Sequence, residues 1–288
     1  MHLLSFAANG RDSFGVVSGD GVIDLGARMA SAHSLIDLLA AGALDEARRV
    51  AAAVPTPDVG LDAIEFRLPI PRPSKILCIG VNYAERHEEY GDRTPPPVYP
   101  SIFMRTPGSF VGHRVPLLRP QESQEFDYEG EIAVVIGRRA RRVPEASAPT
   151  VIAGLTCAND GTLRDWVRHG KFNVTPGKNF ERSGSIGPWL TTLDEVGPLD
   201  ALTVTTLVNS ERRQHDTTAH LIFSIPRLLA YVSTFTALEP GDVILSGTPP
   251  GAGARRQPPV YLQAGDRVEV TIDGVGTLSN VVEDESAE

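Results

Sequence analysis

Cysteine is nearly missing from this sequence. The 288-residue chain has two, Cys78 and Cys157, each inside an apolar, strand-like run. That argues against a disulfide framework and a thiolate zinc site, and for buried reduced thiols. Long hydrophobic runs are missing as well: nothing approaches the ~20 apolar residues of a transmembrane helix. Met1-His-Leu-Leu-Ser has no basic region ahead of a long apolar segment, so a secretory leader is not expected and the cytoplasm is the expected compartment. Basic residues are outnumbered, 27 Lys and Arg against 36 Asp and Glu, for a net charge of −9. This argues against nucleic acid or an anionic membrane as the main partner. There is no internal repeat and no low-complexity tract.

What is present is an ordinary globular composition, 41% hydrophobic and 22% charged, able to bury a real core. Residues 3–25 read as short strands broken at Asn9-Gly10 and Gly19-Asp20-Gly21. Residues 34–40 and 44–54 carry helical apolar spacing. A stiff connector, Leu68-Pro-Ile-Pro-Arg-Pro73, then sets an expected boundary near residue 70. Beyond it strands dominate, with a hairpin at Asp273-Gly274. A helix is expected from Ser224 as N-cap, with Leu228, Leu229, Val232 and Phe235 as its apolar stripe. A helical stretch over 163–169 is expected to be capped by Thr162. The larger part should be mainly β.

The chemistry concentrates in Glu125-Phe-Asp-Tyr-Glu-Gly-Glu-Ile-Ala-Val-Val-Ile-Gly137. From Tyr128 it reads as a strand, so Asp127, Glu129 and Glu131 share one face. Carboxylates two apart raise each other's pKa unless a cation intervenes, and the apolar run that follows implies burial. A divalent ion resolves the conflict; an exposed acidic strand start is the bland alternative. Gly130 between the acids favours close approach of a ligand or another segment. Asp160, just past the apolar strand 151–158, adds a third carboxylate. With no thiolate or well-spaced histidine pair, the set is all-oxygen and suits Mg²⁺, Mn²⁺ or Ca²⁺.

Other candidates need support from elsewhere. His87 with Glu88 and Glu89 offers a base and an orienting acid on a helix-like piece before a proline run, an expected mobile lid, or else a solvated helix face. Lys178, in Thr175-Pro-Gly-Lys-Asn179, could face a substrate carboxylate or an enolate, or simply be exposed. Ser246-Gly-Thr-Pro-Pro-Gly-Ala-Gly253 lacks the pattern of a Walker loop or dinucleotide fingerprint. Backbone donors and Thr248 contacting a small acid are the economical reading.

Several segments occur together and in order: Ile79-Gly-Val-Asn-Tyr83, Asp127–Gly137, Asn159-Asp160, Gly177-Lys-Asn-Phe180, Ser183-Gly-Ser-Ile-Gly-Pro-Trp189, Ile222-Phe-Ser-Ile-Pro226 and Leu238–Pro249. In this the chain resembles the fumarylacetoacetate hydrolase family, which includes acylpyruvases, oxaloacetate decarboxylases and homoprotocatechuate-pathway isomerases. The resemblance implies an α+β, mainly β fold: a mixed β-roll catalytic domain over 71–288, behind a small N-terminal α+β domain over 1–70, assembled as a homodimer. It implies Mg²⁺ or Mn²⁺ on Glu129, Glu131 and Asp160, with Ca²⁺ able to substitute structurally. It places Lys178 in the site, Thr248 and the Gly247 amide on a substrate carboxylate, and Arg105, Gln214 and Thr218 near the substrate. The family's His-x-x-Glu dyad follows Gly-x-Asn-Tyr. Here Arg86 stands at the histidine position, His87 comes one later and Glu89 matches the glutamate. One residue turns a helix by about 100°.

The leading expectation is a metal-dependent hydrolase cleaving a carbon–carbon bond in an acylpyruvate-like 2-oxo acid. His87, Glu89 and Lys178 would be catalytic, and ring-cleavage products are the substrates that analogy brings to mind. The alternative is an isomerase, hydratase or decarboxylase acting on a dicarboxylic 2-oxo acid, which asks less of the displaced His87. A non-catalytic protein binding Ca²⁺ structurally is the rival from another class.

Overall fold

A computed structural model describes residues 1–89, 95, 97–171 and 173–286, except for the side chains of residues 87 and 88. The fold is mainly β, with mixed sheets and a small helical part. The central strand is Gly130–Ile136, buried along its whole length. It lies between Ile152–Asn159 and Val243–Leu245, both antiparallel to it. The sheet continues through Ile76–Ile79, parallel to Val243–Leu245, and ends at Ile102–Arg105. A second sheet contains Glu211–Thr217, Thr203–Val208, Arg267–Ile272 and Gly276–Asp284, the last two joined as the expected hairpin.

Side chains of the central strand alternate between two cores, as a period of two requires. Ile132, Val134 and Ile136 join Val204, Val270 and Leu278 of the second sheet, and Leu228, Leu229 and Val232 of the helix Ile225–Phe235. Ala133 and Val135 face the other way, into separate clusters with Val243 and with Leu190. Ser224 caps that helix, accepting from the Arg227 amide. Phe235, expected in the apolar stripe, is instead 56% exposed at the helix end. Thr162 is not a cap: Thr162–Leu163 pairs with Phe126–Asp127, and the helical piece shrinks to a 3₁₀ turn, Trp166–Arg168, capped by Asp165.

One expectation changes at the acidic strand. Its ladder begins at Gly130, not Tyr128, because side chains take over the backbone bonds: the Glu129 amide donates to Asn159 Oδ1 at 2.9 Å. At Gly130 the close approach is that of another segment, the second of the two expected alternatives. A Cβ there would lie 2.0 Å from Thr206 Oγ1, so the glycine lets the second sheet approach the first.

The N-terminal segment is built into the main sheet. The strand His2–Ala8 pairs with Gly184–Thr192, through Leu3 opposite Leu190. The helices Leu35–Ala40 and Leu44–Ala52 pack beside them, with Leu35, Leu38 and Ala47 in the cluster that holds Val135 and Ala153. The polyproline connector near residue 70 thus interrupts neither the sheet nor the core. Among the described residues no helix is long and apolar enough to cross a membrane.

Candidate active site

The main-sheet fold brings one end of Gly130–Ile136 beside the end of Ile152–Asn159, and three carboxylates converge there. Glu129, Glu131 and Asp160 are all buried, and one oxygen from each lies within 4.8 Å of the others. Glu129 and Glu131 line a cavity of about 380 Å³ whose walls also include Arg86, Phe103, Arg164, Lys178 and Thr248.

Cations surround the acids. Lys178, at the end of the one-turn helix Thr175–Lys178, commits all three N–H groups to them: 2.6 Å to Glu129 Oε2, 2.7 Å to Asp160 Oδ2 and 2.9 Å to the Asp160 carbonyl. Arg164 reaches Glu129 Oε1 at 2.6 Å and Asp127 Oδ2 at 2.8 Å. Arg86, on the short helix Ala84–Glu89, is 2% exposed and bridges Glu89 Oε2 at 2.7 Å and Glu129 Oε1 at 3.0 Å. Arg105 holds Asp160 Oδ1 from behind at 2.6 Å.

This arrangement separates the two glutamates electrically. Burial works against the Glu129 carboxylate, but Arg164, Lys178 and Arg86 outweigh it and hold its carboxyl far below the usual range. Burial likewise opposes the Lys178 ammonium, and Asp160 and Glu129 more than compensate, so its pKa rises. Glu131 is the opposite case. Burial, then Asp160 and Glu129, push its carboxyl well above the ordinary value. Its hydrogen bond among the described residues is a single one, from the Gly247 amide at 2.7 Å.

Several amides of the glycine-rich loop after Val243–Leu245 bond within the protein. Gly247 donates to Glu131, Gly251 to Glu89 at 3.0 Å, and Gly253 and Ala254 to Asp127 at 2.8 and 3.0 Å. Gly247 needs its glycine, with φ +97° and a would-be Cβ 2.7 Å from the Asn82 Cβ. Thr248 does line the cavity, while its hydroxyl donates to the Gly130 carbonyl at 2.9 Å.

Three residues expected near the substrate are not among those lining this cavity. All five Arg105 donors are taken by Asp160, Gly161, Ser109 and Ser183, so this side chain braces Asp160. Gln214 is saturated by the Gly130 amide, Thr248 and the Pro249 carbonyl. Thr218 accepts from the Leu202 amide at 2.9 Å and lines a different cavity with Leu221 and Pro149. The side chains of His87 and Glu88 lie outside the described residues. Sequence reasoning missed Arg164 and Asp127 as a pair. The available signal was an arginine four residues after Asp160 and an acid on the Glu129 face, which would have matched charge to charge.

The donor set fits a divalent cation. It is hard and all-oxygen, and Glu131 is a buried carboxyl short of positive charge. Burying this many opposed charges costs more than a well-packed apolar core, and their convergence on an accessible cavity marks the class: an enzyme, with a carboxylate centre in a two-sheet β fold. Comparison with known proteins supplies the family. The profile described as "Fumarylacetoacetate (FAA) hydrolase C-terminal" matches residues 75–283, and the chain belongs to that family. The chain is similar to "Oxaloacetate tautomerase Fahd2a, mitochondrial" of Rattus norvegicus, 38% identical over 268 residues, 92% of this chain and 84% of the relative. It is likewise 38% identical to "Oxaloacetate tautomerase YisK" of Bacillus subtilis (strain 168) over 261 residues, 86% of each chain. Among solved structures, maleylpyruvate hydrolase from Sphingobium sp. SYK-6, in complex with manganese(II) ion and pyruvate, superposes with a TM-score of 0.82 at 27% identity. That match covers 99% of this chain and 100% of the other.

Proposed function

We propose that this chain is a metal-assisted tautomerase of a small dicarboxylic 2-oxo acid, with oxaloacetate as substrate. The hydrolase expectation gives way to its alternative for one structural reason: Arg86. At the position where the resemblance puts a histidine stands a guanidinium paired to Glu89 at 2.7 Å. Arginine stays protonated in proteins, so the histidine that would take a proton from water is missing from this pair. Tautomerisation needs no activated water. A proton leaves C3, the 2-oxo oxygen becomes the enol oxygen, and no carbon–carbon bond breaks. The relatives named oxaloacetate tautomerase support the same reading.

Held by Glu129, Glu131 and Asp160, a Mg²⁺ or Mn²⁺ ion would supply Lewis acidity toward the 1-carboxylate and 2-oxo oxygens. Lys178 adds fixed positive charge beside the developing enolate, its ammonium maintained by Asp160 and Glu129. Glu89, held in place by Arg86 and the Gly251 amide, is assigned the proton transfer at C3. The test is decay of oxaloacetate enol absorbance with Mn²⁺ or Mg²⁺, repeated with excess chelator and with acetylpyruvate. Metal-dependent enol–keto conversion is expected. Pyruvate released from acetylpyruvate faster than oxaloacetate enol decays would reverse the assignment to hydrolase. That second reading draws on the likeness to the maleylpyruvate hydrolase.

A further inference from the structure

We infer that Arg86 is the specificity determinant for the second carboxylate of the substrate, a deepening that rests on the tautomerase reading. The argument begins with how Glu129 divides its partners. Oε2 faces Lys178, and through it Asp160; Oε1 faces Arg164 and Arg86. Around Glu129, then, Lys178 and Asp160 lie on one side and the two guanidinium groups on the other. A 2-oxo acid seated by its 1-carboxylate and ketone on the first side directs its remaining carbons toward the second.

A carboxylate arriving there meets walls that include Glu129 and Glu131, and it is repelled unless a cation comes forward. Lys178 is committed through all three N–H groups. Arg164 is braced on Asp127, itself fixed by the Gly253 and Ala254 amides. Arg86 differs in two respects. It rides on the short helix Ala84–Glu89 rather than on the sheet-end framework. Its bond to Glu129, at 3.0 Å, is also the longest of the three cationic contacts there, the other two being 2.6 Å. Glu129 keeps two close cations if the Arg86 Nη2 turns from it to an incoming carboxylate, while Nη1 stays on Glu89 Oε2, so the exchange leaves Glu129 paired. A planar guanidinium suits this role, since it binds carboxylate side-on and stays charged at every working pH.

Malate and lactate make a minimal probe pair, two 2-hydroxy acids differing by the distal carboxylate and unable to enolise. Calorimetric titration of the Mg²⁺-loaded full chain should show malate binding weakened about a hundredfold in Arg86→Gln, with lactate binding within threefold of the wild type. Arg86→Lys keeps the charge without the fork and should fall between. It also carries the test should the glutamine variant not fold. Equal losses for both ligands, or no loss for malate, would overturn the inference. Because binding is read without turnover, failure of the tautomerase reading shows separately, as intact malate selectivity with no oxaloacetate enol decay.

Discussion

Glu129 is neutralised by three cations, and they are not interchangeable. Lys178 is the one that also touches Asp160, so it holds two of the three candidate metal ligands at their spacing. Removing one partner from a buried charge network costs about 3 kcal/mol or more, because the charges left behind are unpaired. Lys178→Met should accordingly lower the melting temperature without metal, and Mn²⁺ should raise it by more than in the wild type. A thermal melt with and without Mn²⁺ reads both. No larger metal shift in the variant would mean the cluster is not the metal seat. Arg86→His tests the neighbouring position by placing an imidazole three residues before Glu89. Acetylpyruvate hydrolysis should rise at least tenfold while oxaloacetate tautomerisation falls. Residue identity alone went far here, since Glu129, Glu131 and Asp160 could be picked out as a hard donor set. It could not reveal which partner each donor takes. Arg105 and Gln214 are of the right type for substrate contact, yet their bonds are consumed by partners 55 and 84 positions away.

The loop after the two-residue strand Phe110–Val111 shows the same limit for an element. Nothing in its sequence assigns it a role, yet it fastens the second sheet. The Ser279 amide donates to His113 Nδ1 at 3.0 Å, the Arg114 amide donates to the Ser279 carbonyl, and Asn280 Nδ2 donates to the Gly112 carbonyl. Those partners lie far along the chain, out of reach of any local pattern. The loop should make stability depend on pH. Burial, and then the Arg114 charge, lower the His113 pKa from 6.5 to about 4. Between those values the unfolded chain binds a proton that the folded chain refuses. The stabilisation is therefore complete above about pH 6.5 and is lost as the pH falls toward 4, by at most about 3 kcal/mol. His113→Asn keeps an acceptor for the Ser279 amide and removes the titration. Denaturant midpoints measured from pH 4 to 7 should fall less steeply on the acid side in the variant; parallel curves would refute the assignment.

For the whole molecule, the mainly β architecture was legible because period-two alternation and turn residues are local signals. The standing of the first 70 residues was not, because it depends on a pairing that spans most of the chain. His2 lies opposite Thr191 and Leu3 opposite Leu190, and no motif near either partner points to the other. A polyproline connector looks like a boundary, and only the completed sheet shows that packing runs straight past it. Cutting there should have a definite cost. A fragment of residues 71–288 would leave Gly184–Thr192 without its neighbour and uncover Val135, Ala153 and Leu190, now covered by Leu3, Leu35 and Leu38. An unpaired, apolar strand edge is a template for aggregation. The cluster at Asp160 would suffer too, since the strand Ile152–Asn159 that leads to it pairs directly with Gly184–Thr192. Expressed alone, the fragment should be largely insoluble, and its soluble fraction should neither melt cooperatively nor bind Mn²⁺. A soluble fragment with a sharp transition and full-strength Mn²⁺ binding would instead show that the first 70 residues are a separable attachment, as the connector implied.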